Sequence, residues 1–170
     1  MSDLLWQRAA AFAARAHAGQ MRADGRTPYF SHCARVAMIV ASEFGCADER
    51  TLAAAFLHDT IEDTPTDYDD IEGGFGKVVA DCVAALTKNH ALPGPVRERD
   101  YDKRLAAASW QARLIKLADA WDNWSDVGAR GGKAKGIKRC KRALALVRQD
   151  AAKHAEVRRA IRLVSGALGG

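Results

Sequence analysis

Nothing in the 170 residues approaches the roughly 18 consecutive apolar residues of a membrane span, and the N-terminus lacks the charged-then-apolar pattern of a secretion signal. These absences predict a protein of the cytoplasm with no membrane partner. No CxxC pair occurs. Cys33, Cys46, Cys82 and Cys140 are widely spaced within apolar helical patterns, which argues for buried free thiols and against disulfides or a structural zinc site. No apolar–polar alternation is long enough to make a strand, so the predicted class is all-α, a bundle of seven to eight helices without significant sheet. Internal repeats and low-complexity segments are also missing. The length suits one domain with a full core and is too short for two of ordinary size. We therefore expect residues 1–170 to form a single domain. A content of 48% hydrophobic and 28% charged residues is that of a globular protein.

The net charge of +5 is unevenly spread. Residues 1–127 hold 14 Lys and Arg against 19 Asp and Glu, a balance of −5, whereas residues 128–170 hold 12 against 2, a balance of +10. The tail, KAKGIKRCKRAL included, has the charge to attract a polyanion, either nucleic acid or a phosphorylated small molecule. Ile137, Cys140, Leu144 and Val147 recur there at helical spacing, so an amphipathic helix with its basic face in solvent is an equally simple reading.

Apolar spacings of three and four set out the helices. Ser2 can cap a first helix with the stripe Leu5, Ala9, Phe12 and Ala16, ended by Gly19. After the loop GQMRADGRTPY, Ser31 can cap a second carrying Val36, Ile39, Val40 and Phe44 and stopped at Gly45. A third is expected from about Asp48 to Asp63. A fourth spans 69–88 with Val79, Cys82, Val83 and Leu86 inward, interrupted or preceded by Gly73-Gly74. A short charged helix near 97–108 precedes SWQARLIKLADAWDNWSDV, whose buried face of Leu114, Leu117, Ala118 and Trp121 is broken by Asp119. GARGGKAKG reads as a flexible connection to two basic C-terminal helices over about 133–168, the last carrying Val157, Ile161, Val164 and Leu168.

The stretch AFLHDTIEDTP, residues 55–65, places four ionisable residues directly behind an apolar run. A buried helix accepts charge only when something compensates it. On one continuous helix His58 would lie beneath Glu62 and Asp59 beneath Asp63. The alternative is the polar end of a helix leaving the core. Adding His32 and Asp119 gives two imidazoles and two carboxylates on three helices, a donor set suited to a borderline divalent cation such as Mn²⁺, Fe²⁺ or Zn²⁺ with positions left for water.

The succession HAGQ.R..G.TPYFSH, AAFLHDTIEDT, FGKVVADCVAALTK and IKLADAWDN resembles the HD-domain hydrolases of RelA/SpoT proteins and their stand-alone form, the small alarmone hydrolases. The likeness spans about residues 8–127. It implies an HD-domain helical bundle and one Mn²⁺ held by His32, His58, Asp59 and Asp119. It further implies that Glu62 and Asp63 activate the attacking water, and that Asn123 contributes to catalysis and substrate binding. Arg22 and Lys88 match positions bearing positive charge near the substrate, as phosphates demand. The implied reaction is removal of pyrophosphate from the 3′ oxygen of guanosine tetra- or pentaphosphate, without the synthetase activity of the longer relatives.

Three departures from the family pattern occur, of which the loss of positive charge at Ala23 and Ala120 and the acid at Asp24 bear on the substrate, while Cys33 concerns only helix geometry. Ala23 and Asp24 stand where the family carries a basic residue and a serine, Cys33 follows His32 where proline is usual, and Ala120 follows Asp119 where arginine is usual. An HD phosphohydrolase acting on another nucleotide is therefore the alternative reading. A nucleic-acid-binding module with a vestigial site ranks below both, because all four ligand positions and both acidic residues of the ED pair are present.

Overall fold

The structure, a computed structural model, describes residues 4–126 and 132–169. The Ser2 cap and the 128–131 part of the GARGGKAKG segment lie outside the described residues. The chain runs through α1 (Leu5–Ala16), α2 (Phe30–Met38), α3 (Glu49–Leu57), α4 (Thr60–Asp63), α5 (Tyr68–Phe75), α6 (Lys77–Leu86), α7 (Gly94–Ala107), α8 (Trp110–Ser125), α9 (Gly132–Val147) and α10 (Ala155–Gly169). Among the described residues no strand forms, and the one β-type pairing is an isolated antiparallel bridge between Met21 and Pro28. The all-α expectation holds. No helix among these residues is long and apolar enough to cross a membrane.

α3 is the centre of the packing. Ala53, Ala54, Ala55, Phe56 and Leu57 are all buried, and the alanines let α1, α2, α6 and α8 pack around it. The Phe56 ring stacks between Trp6 and Phe30, with centroids 6.3 Å away on each side. Asp48 opens α3 by accepting from the Thr51 backbone N–H at 2.8 Å and its hydroxyl at 2.7 Å, satisfying a donor that the helix start leaves free. Ser109 does the same for α8 through Ala112 N–H.

Two expected helices are each divided, which is why ten α-helical segments stand among the described residues where seven or eight were expected. The 48–63 helix breaks at His58-Asp59, because side chains take carbonyls that the helix ladder would use. His58 Nδ1 bonds Ala55 O at 2.8 Å and the Thr60 hydroxyl bonds Leu57 O at 2.7 Å. The 69–88 helix breaks at Gly76, whose φ of +85° suits glycine alone, while Gly73 and Gly74 sit within α5. α2 starts at Phe30 without a side-chain cap, so Ser31 does not cap it. It passes into a π-helical turn over Ile39–Glu43 and ends at Gly45, φ +80°.

The tail packs as two amphipathic helices. Cys140, Leu144 and Val147 of α9 and Val157 and Val164 of α10 face the core. Part of the segment read as a connection is helical: Gly132–Gly136 belong to α9, and a Cβ at Gly136 would fall 2.8 Å from Trp124 Cδ1. Glycine there lets α9 lie close against α8. Arg113, 6% exposed, ties the C-terminal region to the core. It pairs with Asp150 at 2.7 and 2.9 Å and donates to the carbonyls of Leu105, Ala106 and Ala108. All four cysteines are buried free thiols.

Candidate active site

The first turn of α2, the break after α3 and the middle of α8 converge on one point. His32 Nε2 lies 3.3 Å from Asp119 Oδ1 and 3.5 Å from Asp59 Oδ2. His58 Nε2 lies 3.1 Å from Asp59 Oδ2 and 3.9 Å from Asp119 Oδ1. The ligand atoms of His32, His58 and Asp59 all lie within 4.8 Å of one another. Donors held about 2.1 Å from one ion sit about 3 Å apart when adjacent in an octahedron, so the spacing suits a single cation.

The hydrogen bonds fix how the imidazoles are presented. His32 Nδ1 meets Asp122 Oδ2 at 2.7 Å and His58 Nδ1 meets Ala55 O at 2.8 Å. Both acceptors require the proton on Nδ1, which turns the Nε2 lone pairs toward the carboxylates. Both Nε2 atoms are buried with no hydrogen-bond partner in the structure, a cost that a bound cation removes. Two neutral imidazoles and two carboxylates also balance a divalent charge. The residues present therefore fit a divalent metal.

Burial opposes charging His32, yet the carboxylates of Asp119, Asp122 and Asp59 around it outweigh burial and hold its pKa well above the usual imidazole range in the metal-free protein. His58 is raised in the same way, burial being outweighed mainly by Asp59. Asp119 is held far below the carboxylate range: burial works against this, and Lys116 Nζ, 2.8 Å from Oδ2, outweighs burial. Asn123 Nδ2 donates to Asp119 Oδ1.

Sequence reading missed three supporting residues. Asp122 orients His32 and is itself gripped by Arg35 at 2.6 and 2.9 Å. Lys116 neutralises Asp119 from outside. The Tyr29 hydroxyl lies 2.6 Å from Asp59 Oδ2 and 3.1 Å from Asp63 Oδ2. A signal existed for each: Asp122 and Lys116 stand three residues either side of Asp119, and Tyr29 three before His32, the spacing of one helical face.

A cleft of about 620 Å³ opens from this point, lined at its inner end by His58, Asp59, Asp119 and Asn123. Glu62 and Asp63 line it too. The Glu62 carboxylate accepts from Lys88 N–H at 2.9 Å and meets His90 Nε2 at 3.2 Å. Burial and the charge of Asp59 push the Asp63 carboxyl up, against the hydrogen bond from Tyr29. Lys88 lines the cleft with its ammonium on Glu98 at 2.8 Å. Arg22 is elsewhere: 8% exposed in its side chain, it bonds Asn123 Oδ1 at 3.0 Å and Asp126 at 3.0 and 3.2 Å, behind the residues that line the cleft. Asp24 caps its own turn, accepting from Arg26 N–H, Thr27 N–H and the Thr27 hydroxyl, which hold its pKa at about 2. Its charge belongs to the loop, not to the cleft. The outer wall is α9, from which Lys135, Lys138, Arg139 and Arg142 face the cavity alongside Ala120 of α8.

A histidine and aspartate paired at a helix break, with a second histidine and a distal aspartate brought beside them inside an all-α bundle, form the arrangement of the HD domain. Residues 9–142 match the profile of the HD domain, and the chain belongs to that family. It is 40% identical over 117 residues to the zebrafish protein named guanosine-3′,5′-bis(diphosphate) 3′-pyrophosphohydrolase MESH1, covering 68% of this chain and 65% of that protein. The human protein of the same name is 42% identical over 120 residues, covering 70% and 67%. Escherichia coli SpoT, a bifunctional (p)ppGpp synthase/hydrolase, is 40% identical over 120 residues, which cover 67% of this chain and 17% of SpoT. The alignment thus spans about two thirds of the length of the MESH1 relatives. A solved structure of a metazoan SpoT ortholog that hydrolyses ppGpp superposes with a TM-score of 0.81 at 28% identity, covering 99% of this chain and 98% of that one.

Proposed function

We propose that this protein is a Mn²⁺-dependent guanosine-3′,5′-bis(diphosphate) 3′-pyrophosphohydrolase. The observation that carries the reading is the pair of buried, partnerless Nε2 atoms of His32 and His58 facing Asp59 and Asp119 at the floor of a cleft whose outer wall is cationic. When bound, the cation neutralises charge on a phosphoryl oxygen and lowers the pKa of water. The net reaction adds water across the bond between O3′ and its phosphorus: the oxygen of water joins phosphorus, that bond breaks, and O3′ takes up a proton to leave GDP and pyrophosphate.

We assign the proton of the attacking water to the Glu62–Asp63 pair, which lines the cleft beside the metal ligands. The raised pKa of Asp63 suits a group that holds a proton for part of the cycle. Asn123 holds Asp119 and lines the cleft as a donor toward substrate. Lys88 serves the phosphates directly. Arg22 serves them by fixing Asn123.

Cations on α9 facing the cavity support the tail as the replacement for the positive charge missing at Ala23 and Ala120. Their place in a concave, nucleotide-sized cleft favours a small polyanion over nucleic acid. We take residues 1–170 as one hydrolase domain, with α9 completing the site. The buried, reduced cysteines suit the cytoplasmic location this reading carries. Incubation with ppGpp and Mn²⁺ should release pyrophosphate and GDP, and absence of turnover at saturating enzyme would sink the assignment. Ala23 and Ala120 favour a second reading, a different nucleotide as substrate, so the assay should include a nucleotide panel. Activity on ppGpp alone would reject that second reading.

A further inference from the structure

The cleft contains an internal anion that the proposed hydrolysis does not use. Glu98, on α7, stands between two cations from different parts of the chain: Oε1 accepts from Lys88 Nζ at 2.8 Å and Oε2 from Arg142 NH1 at 2.8 Å. Arg142 is held further by Asp102, whose Oδ1 accepts from Nε at 2.8 Å, and by the Glu98 carbonyl at 3.2 Å. All four side chains line the cavity that ends at Asp59 and Asp119. The hydrogen bonds from Lys88 and Arg142 hold the Glu98 pKa at about 2, against the effect of burial.

A carboxylate bridging a lysine and an arginine across a cleft occupies both with a single negative charge. Glu98 and Arg142 have side-chain exposures of 39% and 42%, and ion pairs this open to water contribute little to stability. They can be exchanged at low cost. A phosphate group offers three acceptor oxygens and more charge than a carboxylate, and a fork such as Arg142 binds it through two parallel bonds.

We propose that Glu98 is an internal competitor of the ligand: it masks Lys88 and Arg142, so that a ligand engages both cations only by displacing it. A single phosphate gains too little over the carboxylate to displace it and leaves Glu98 in place, whereas a diphosphate carries enough charge and reach to take both cations and bears the cost of the displacement. The idea rests on the reading of the cleft as a site for a guanosine polyphosphate, and it names the group that lowers the affinity of the outer cleft for clustered phosphates.

The test measures dissociation constants of inorganic phosphate and inorganic pyrophosphate by calorimetry on the metal-loaded protein and on its Glu98→Gln variant. The expected result is that Glu98→Gln tightens pyrophosphate by about 10-fold, the scale of one nearby charge in a half-exposed site, and phosphate by clearly less, so that the preference for pyrophosphate grows. Asp102→Asn, which relieves Arg142 but leaves Glu98 in place, should shift both constants less than 3-fold. Equal tightening of both anions, no change, or weakening in Glu98→Gln overturns the proposal, as does an Asp102→Asn effect equal to that of Glu98→Gln. Thermal melting of both variants confirms that the comparison is between folded proteins. Neither probe is turned over, so the outcome is independent of whether ppGpp is hydrolysed; a wild type that binds pyrophosphate with the expected preference but leaves ppGpp intact fails the functional reading instead.

Discussion

The two walls of the cleft are built on opposite principles. On the metal side His32, His58, Asp119 and Asp122 are buried and held from behind: Asp122 holds His32, Arg35 holds Asp122, a helix carbonyl holds His58, and Lys116 and Asn123 hold Asp119. On the α9 side Lys135, Lys138 and Arg139 extend along an open helix face, and the pairs around Arg142 are about 40% exposed. Burial with a partner behind each group fixes geometry, because each displaced group would leave that partner unsatisfied at a cost of roughly 1–3 kcal/mol. Exposure leaves charge available and adjustable. Chemistry at one phosphorus needs the first, and capture of a polyphosphate needs only the second.

Substitutions should separate the walls by size and kind of effect. The largest losses should come from the metal side, and two neighbours there should fail differently. Asp119→Ala removes a proposed ligand, so metal content and activity should fall together, with affinity reduced by more than the 10–100-fold typical of a supporting residue. Glu62→Ala should keep its metal while turnover drops about 10²-fold or more. Equal metal loss in both would make Glu62 a ligand or a structural residue. Full activity in Glu62→Ala would end its catalytic assignment.

Next in size is Asp122→Asn, which leaves the ligands intact but weakens the hold on His32. Metal affinity should fall about 10–100-fold, with activity restored by excess metal. A third effect concerns pH. His32 and His58 have raised pKa values in the metal-free protein, and a cation needs their Nε2 atoms bare. Metal affinity should therefore rise with pH and binding should release protons, measurable by titration in weakly buffered solution. The sign for stability is opposite in the metal-free form. A raised pKa stabilises the fold below the ordinary imidazole value, and that contribution is lost as pH rises through the raised value. Thermal melts of metal-free protein should follow that direction, and a flat profile in both measurements would contradict it.

The smallest effect belongs to the open wall. Lys138→Ala should raise KM for ppGpp a few-fold with little change in kcat, and the difference should shrink as salt is added, because exposed charges are screened. A kcat loss of the size seen at Glu62 would show that α9 positions the reacting phosphate and would erase the contrast between the walls.

The fold class and the convergence of His32, His58, Asp59 and Asp119 were legible in the sequence because both rest on residues that have few other uses. A charged pair behind TLAAAFL demands compensation, and the apolar spacing of three and four admits only helices. The helix breaks were not legible. His58 and Thr60 look like ordinary helix residues until their side chains take the carbonyls of Ala55 and Leu57, and this competition depends on tertiary surroundings. Gly76 was passed over for Gly73-Gly74 because composition does not reveal which glycine has positive φ. Asp122 was hidden by its neighbour: three residues from Asp119 it reads as one more polar position on a helix, and only the approach of α2 gives it His32 and Arg35. Similarly, the basic tail reads as a solvated face, and its opening onto the cleft follows from Gly136 letting α9 lie against Trp124.

The central claim is that one divalent cation, held by His32, His58, Asp59 and Asp119, drives removal of pyrophosphate from ppGpp. It is tested most directly by titrating metal-stripped protein with Mn²⁺ while measuring bound metal and the rate of ppGpp turnover in the same samples. Bound metal and rate should rise together and level off at one equivalent per chain, with GDP and pyrophosphate as the products. Turnover that persists without metal, a rate that climbs only with a second equivalent, or one full equivalent bound with ppGpp left intact would contradict it.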